Sequence, residues 1–97
     1  MNIKIWYLDW EKHSGRVIEV HTEKPALPVK SEYDCVHDTT YYDDTEARVV
    51  CDEMFERFNI GDHGGKNIRS MSVGDIVQVG NQNWMCRPMG WAEVQWG

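Results

Sequence analysis

The sequence predicts an α+β fold: a small single domain in which an antiparallel sheet of about four to five strands is packed by one main amphipathic helix. Three observations predict it. A chain of 97 residues is long enough for one hydrophobic core and too short for two. Short runs of alternating β-branched and aromatic residues, bounded by glycine, proline and asparagine, occur near both ends. Between them, one stretch repeats apolar residues at the three-and-four spacing of a helical face.

Taken in order, Ile3 to Trp10 alternates and reads as a strand, Glu11 to Gly15 as a turn, and Arg16 to His21 as the antiparallel partner, giving an N-terminal hairpin over 3–21. Pro25 and Pro28 cannot donate to a ladder, so 22–42 is expected to be an irregular loop. A connection of that length either carries function or packs over the core. The helix is expected over 44–58, with Ala47, Val50, Cys51, Met54, Phe55 and Phe58 on its inner face. Asp43 followed by Glu46 resembles a capping box, and Asn59 or Gly61 can end the helix in a left-handed conformation. The outer face holds Asp52, Glu53 and Glu56 around Val49, with Arg48 and Arg57 spaced to pair with Asp52 and Glu53.

A C-terminal hairpin and strand are expected over 73–96. Ile76–Val79, a turn through Gly80–Asn83 and Trp84–Arg87 form the hairpin, Pro88 ends it, and Trp91–Trp96 adds a strand. Just before it, Ser70 and Ser72 suit local turn hydrogen bonds, and Gly74 suits a backbone geometry that other residues resist. Asp75 then opens the ladder. Val77 and Val79 should face the core, with Ile76 and Gln78 on the other side.

Composition narrows the function. The 41% hydrophobic and 11% aromatic content suit a globular protein. With no apolar run of membrane-spanning length and no secretion signal, the expectation is a soluble, intracellular protein. The net charge of −6 is concentrated in the middle: residues 32–62 carry ten acids against Arg48 and Arg57. No basic stripe is present, which argues against direct nucleic-acid binding. Three widely spaced cysteines do not form a disulfide framework, and Cys51 and Cys86 fit small core positions.

Catalytic signatures are weak. Cys35-Val36-His37-Asp38 has no second ligand pair to complete a metal site, so no metal and no cofactor is expected. Cys35 is flanked by Asp34 and Asp38, which disfavour a thiolate, and the glycine-rich stretch 61–67 is not a P-loop. The chain therefore reads as no enzyme. Surface chemistry remains, in two alternative forms. One is an acidic surface built from Asp34, Asp38, Asp43, Asp44, Glu46, Asp52, Glu53 and Glu56. The other is a tryptophan-rich sheet that binds a partner protein through Trp91 and Trp96.

The helix Glu46–Asn59, the stretch Arg69-Ser-Met-Ser-Val-Gly-Asp75 and the ending Cys86-Arg-Pro-Met-Gly-Trp91 together resemble the YodL-like small domain found in proteins of phages and conjugative elements. The resemblance covers roughly residues 40–95 and brings no catalytic residues with it. It implies an accessory protein of a mobile element in the cytoplasm of a bacterial host. Combined with the acidic middle, it leads to the expectation of a protein-binding inhibitor of a host nucleic-acid-binding defence complex, of anti-CRISPR or anti-restriction type. The alternative is a regulatory or structural domain that binds another protein of the same element.

Overall fold

Among the described residues five strands make one antiparallel sheet: β1 (Asn2–Leu8), β2 (Tyr33–Thr40), β3 (Ile76–Val79), β4 (Gln82–Cys86) and β5 (Trp91–Val94), in the spatial order β2-β1-β3-β4-β5. One α-helix among the described residues, α1 (Ala47–Arg57), lies against one face of it. The structure is a computed structural model and describes residues 1–12, 27–40, 45–65 and 67–97. The α+β architecture is the one the sequence predicts.

The first strand explains the layering. It lies between β2 and β3, and its residues point alternately to two buried faces. Ile3, Ile5 and Tyr7 meet Val50, Cys51 and Met54 of α1, together with Phe58, Met71, Val77 and Val79. On the opposite face Leu8 joins Tyr33, Ile76 and Met85, with Trp6, Val94 and Trp96 packed around them. A strand covered on both sides must be apolar on both sides, as Ile-Lys-Ile-Trp-Tyr-Leu nearly is. The second face is closed by residues just before β2. Pro28 is buried and its carbonyl accepts the Gly97 amide at 2.7 Å, while Lys30 Nζ sits 4.9 Å from the Trp6 ring centroid.

Several expectations change. The irregular loop expected over 22–42 contains β2, which runs antiparallel to β1 from Asn2↔Thr40 to Leu8↔Tyr33. Its alternation is hidden by a β-bulge: Ile5 pairs with His37 and Trp6 with Cys35, leaving Val36 as the extra residue. The expected partner of the N-terminal hairpin, Arg16–His21, lies outside the described residues.

Helix α1 begins at Ala47 with Glu46 as its N-cap and no side-chain capping bond, so Glu46 does not act as the inner member of a capping box. The other expected member, Asp43, lies outside the described residues. At the far end neither Asn59 nor Gly61 takes a positive φ. Instead the amides of Asn59, Ile60 and Gly61 converge on the Glu56 carbonyl. A Cβ on Gly61 would meet the Arg57 carbonyl oxygen at 2.9 Å, so close approach selects the glycine there.

The C-terminal hairpin forms where expected but is tighter: its connection is the two residues Gly80 (φ 59°) and Asn81 between the pair Val79↔Gln82. Gln82 and Asn83, expected in the turn, therefore belong to β4, which ends at Cys86 rather than Arg87. Val77 and Val79 face the helix, and Ile76 is equally buried in the second core.

Candidate protein-binding surface

The stretch Arg69 to Asp75 turns its two charged ends toward each other, with Asp75 inside and only Ser70 exposed. Asp75 is fully buried and its carboxylate accepts four hydrogen bonds. Arg69 supplies two of them as a fork, at 2.6 and 2.8 Å, and the amides of Leu8 and Ser72 supply the others at 3.0 and 2.8 Å. Burial pushes the Asp75 carboxyl upward, against the pull of Arg69 and the two amides. The Arg69 guanidinium also donates to the Leu8 carbonyl and lies over the rings of Tyr7 and Trp10, at 4.2 and 4.0 Å. Gly74 adopts φ 96°, and its carbonyl accepts the Tyr33 hydroxyl at 2.7 Å. The motif is thus a clamp that joins β1, β2 and β3. Sequence reasoning placed Gly74 and Asp75 in a scaffold but did not see that Arg69 and Asp75 are partners; an arginine six residues before a strand-opening aspartate was the available signal.

The candidate surface is the exposed side of α1. Glu46, Asp52, Glu53 and Glu56 are exposed there. So are Val49, Phe55 (38%) and, just beyond the helix, Ile60 (83%). The basic residues of the helix turn elsewhere than their spacing suggests. Arg48 lies 5.7 Å from the Trp84 ring centroid, and Arg57 Nε donates to Asp62 Oδ1 at 3.1 Å. Phe55, expected on the inner face, sits at the helix flank and meets Trp91 edge-on, with centroids 6.2 Å apart and planes at 88°.

Other predicted site residues scatter. Asp34 and Asp38 are four apart on β2, but the bulge reverses the alternation between them. Asp34, opposite Tyr7, lies on the helix side beside Trp10 and Arg69, whereas Asp38, opposite Lys4, lies on the other face. Asp43 and Asp44 are outside the described residues. Trp96 is half-buried in the second core, against Trp6 at 5.8 Å and Tyr33 at 5.2 Å, and so serves packing. Trp91 is half-buried and its Nε1 donates to Asp52 Oδ1 at 3.1 Å. The acidic helix and the tryptophan strand, two separate candidates in the sequence, meet in that bond.

Beside the bond runs a groove of about 490 Å³ between α1 and the β4–β5 turn, lined by Asp52, Phe55, Met71, Cys86, Pro88 and Trp91 among others. Cys86 at its floor is buried, as is Cys51 on the helix, and all three cysteines are free. Burial pushes the Cys51 thiol up to about 12 and the Cys86 thiol up to about 11, from an ordinary value of 9.0. Neither suits nucleophilic chemistry near neutral pH. The unfolded chain ionises these thiols first. Stability they confer is therefore complete below pH 9 and falls as pH rises toward 11, by about 1.4 kcal/mol per pH unit for each thiol. Urea unfolding should show little loss between pH 7 and pH 8 and a fall approaching that slope above pH 9, and Cys51→Ala with Cys86→Ala should flatten it.

Among the described residues no group of three histidine, cysteine or acidic side chains is placed to hold a metal ion, and no helix is long and apolar enough to cross a membrane. Comparison of the chain with protein-family models, with curated proteins and with solved structures gives no match.

Proposed function

We propose that this chain is a non-catalytic protein-binding module that engages a basic partner through the outer face of α1. One observation carries the reading. The helix presents Glu46, Asp52, Glu53 and Glu56 to solvent beside the exposed apolar side chains of Val49, Phe55 and Ile60. Carboxylates supply long-range attraction and orientation, while the apolar groups supply area that gains by leaving water. The Cys51 and Cys86 thiols are buried and shifted up, and Asp75 is buried against Arg69, so none of these three groups is offered to a substrate.

The resemblance to YodL-like domains favours an accessory protein of a phage or conjugative element, acting in the bacterial cytoplasm. In its sharpest form the module inhibits a host defence complex by occupying a basic channel that normally holds nucleic acid. Glu53→Lys combined with Glu56→Lys tests the reading. In affinity capture from host lysate followed by measured binding, the double variant should bind the captured partner at least about tenfold more weakly at low salt, with a shallower salt dependence. Unchanged affinity and an unchanged salt slope would overturn the acidic-face reading.

A further inference from the structure

The groove beside Asp52 has the makings of a cation site. Phe55 and Trp91 meet at nearly a right angle, 6.2 Å between centroids, and form two walls of an aromatic corner. The Asp52 carboxylate stands at that corner, oriented by the Trp91 indole through Oδ1. Met71, Cys86 and Pro88 line the rest with largely apolar surface. The one cationic residue on the lining, Arg87, extends its guanidinium to within 4.0 Å of Met85 Sδ, and Met85 belongs to the opposite face of the sheet. Its charge still reaches the Cys86 thiol, which it pulls down, so the Asp52 carboxylate and the exposed Glu53 and Glu56 have to outweigh one positive charge there.

We infer that this groove receives a lysine or arginine side chain from a basic segment of a partner protein. Its alkyl stem lies along Met71 and Pro88, and its cation rests between Phe55 and Trp91 against Asp52. The chemistry is that of an aromatic cage: ring faces attract a cation, and a carboxylate held by an indole N–H supplies the counter-charge. Charge complementarity names the occupant, because Glu53 and Glu56 are exposed on the same helix as Asp52 and the chain carries a net charge of −6. A neutral apolar side chain would fill the volume but gain nothing from the carboxylate, whose Oδ1 the Trp91 indole already engages. The inference rests on the proposed binding role of α1 and assigns that surface a specific pocket.

The test uses the full chain, ¹⁵N-labelled, titrated with a short capped peptide of alternating arginine and glycine, and with the same peptide carrying glutamine for arginine. The arginine peptide should shift the Trp91 indole N–H resonance and the amides of Asp52 and Phe55, and the glutamine peptide should not. Asp52→Asn should weaken binding about fivefold to tenfold and Phe55→Ala by about threefold to fivefold, magnitudes typical of one cation–π or charge-assisted contact. Both positions are exposed, and unchanged thermal melting will confirm that the variants are folded. Binding that is lost with Glu53→Lys and Glu56→Lys but never moves the Trp91 indole would overturn the groove while leaving the acidic face standing. No binding of the arginine peptide at all would overturn both.

Discussion

Arg69→Ala is expected to cost about 3–5 kcal/mol of folding stability, because it leaves a carboxylate buried with no counter-charge. Asp75 has no exposed surface, and half of its four hydrogen bonds come from this one side chain. The substitution also removes the cation from over Tyr7 and Trp10 and takes a donor from the Leu8 carbonyl. A domain of ordinary stability, about 5–15 kcal/mol, would keep only part of it. Arg69→Lys should retain the charge but lose the fork, and fall between the two.

Removing both partners does not restore the fold. The amides of Leu8 and Ser72 donate to different oxygens of that carboxylate, and an asparagine at position 75 offers a single acceptor oxygen, so one amide is stranded. Arg69→Met with Asp75→Asn is therefore expected to remain well below the parent, though above Arg69→Ala. Urea unfolding of the three variants against the parent measures this ordering. A loss under about 1 kcal/mol for Arg69→Ala, the scale of a surface ion pair, would show that the clamp is not the anchor described.

Phe58→Ala should be comparably severe, at about 3–5 kcal/mol. The ring is fully buried where α1 ends, with Tyr7, His37 and His63 rings around it at 6.4, 5.2 and 6.4 Å. It is the point at which the helix, β1 and β2 come together, so truncation opens a cavity among three elements that cannot close without moving one of them. Phe58→Leu, which keeps most of the volume, should cost about 1.5 kcal/mol or less. Calorimetric melting separates the two outcomes. Equal losses for alanine and leucine would mean that ring contacts, rather than filled volume, stabilise this junction.

What could be read from the sequence follows from periodicity. The helix and the C-terminal hairpin repeat at clean intervals over enough residues to be unambiguous, and β1 announces itself by β-branched and aromatic residues. Strand β2 was hidden because its polar residues (Asp34, Asp38, Thr39, Thr40) resemble loop composition and Val36 breaks the alternation. The acidic character of α1 was legible, since charge is local information. The groove was not: it joins Asp52 to Trp91, 39 residues apart, and only strand order places them side by side. The same holds for Trp96, which chain position suggested was exposed and which the second core claims.

The bulge at Val36 also settles where a reporter can be attached. Cys35 is the only exposed thiol among the described residues, and pairing with Trp6 sets it on the side of the sheet away from α1. A maleimide dye should react there first, while Cys51 and Cys86 stay shielded. The dye would then ride on the reverse of the molecule, free of the helix surface and its groove, so binding could be followed by fluorescence anisotropy without labelling the surface under test.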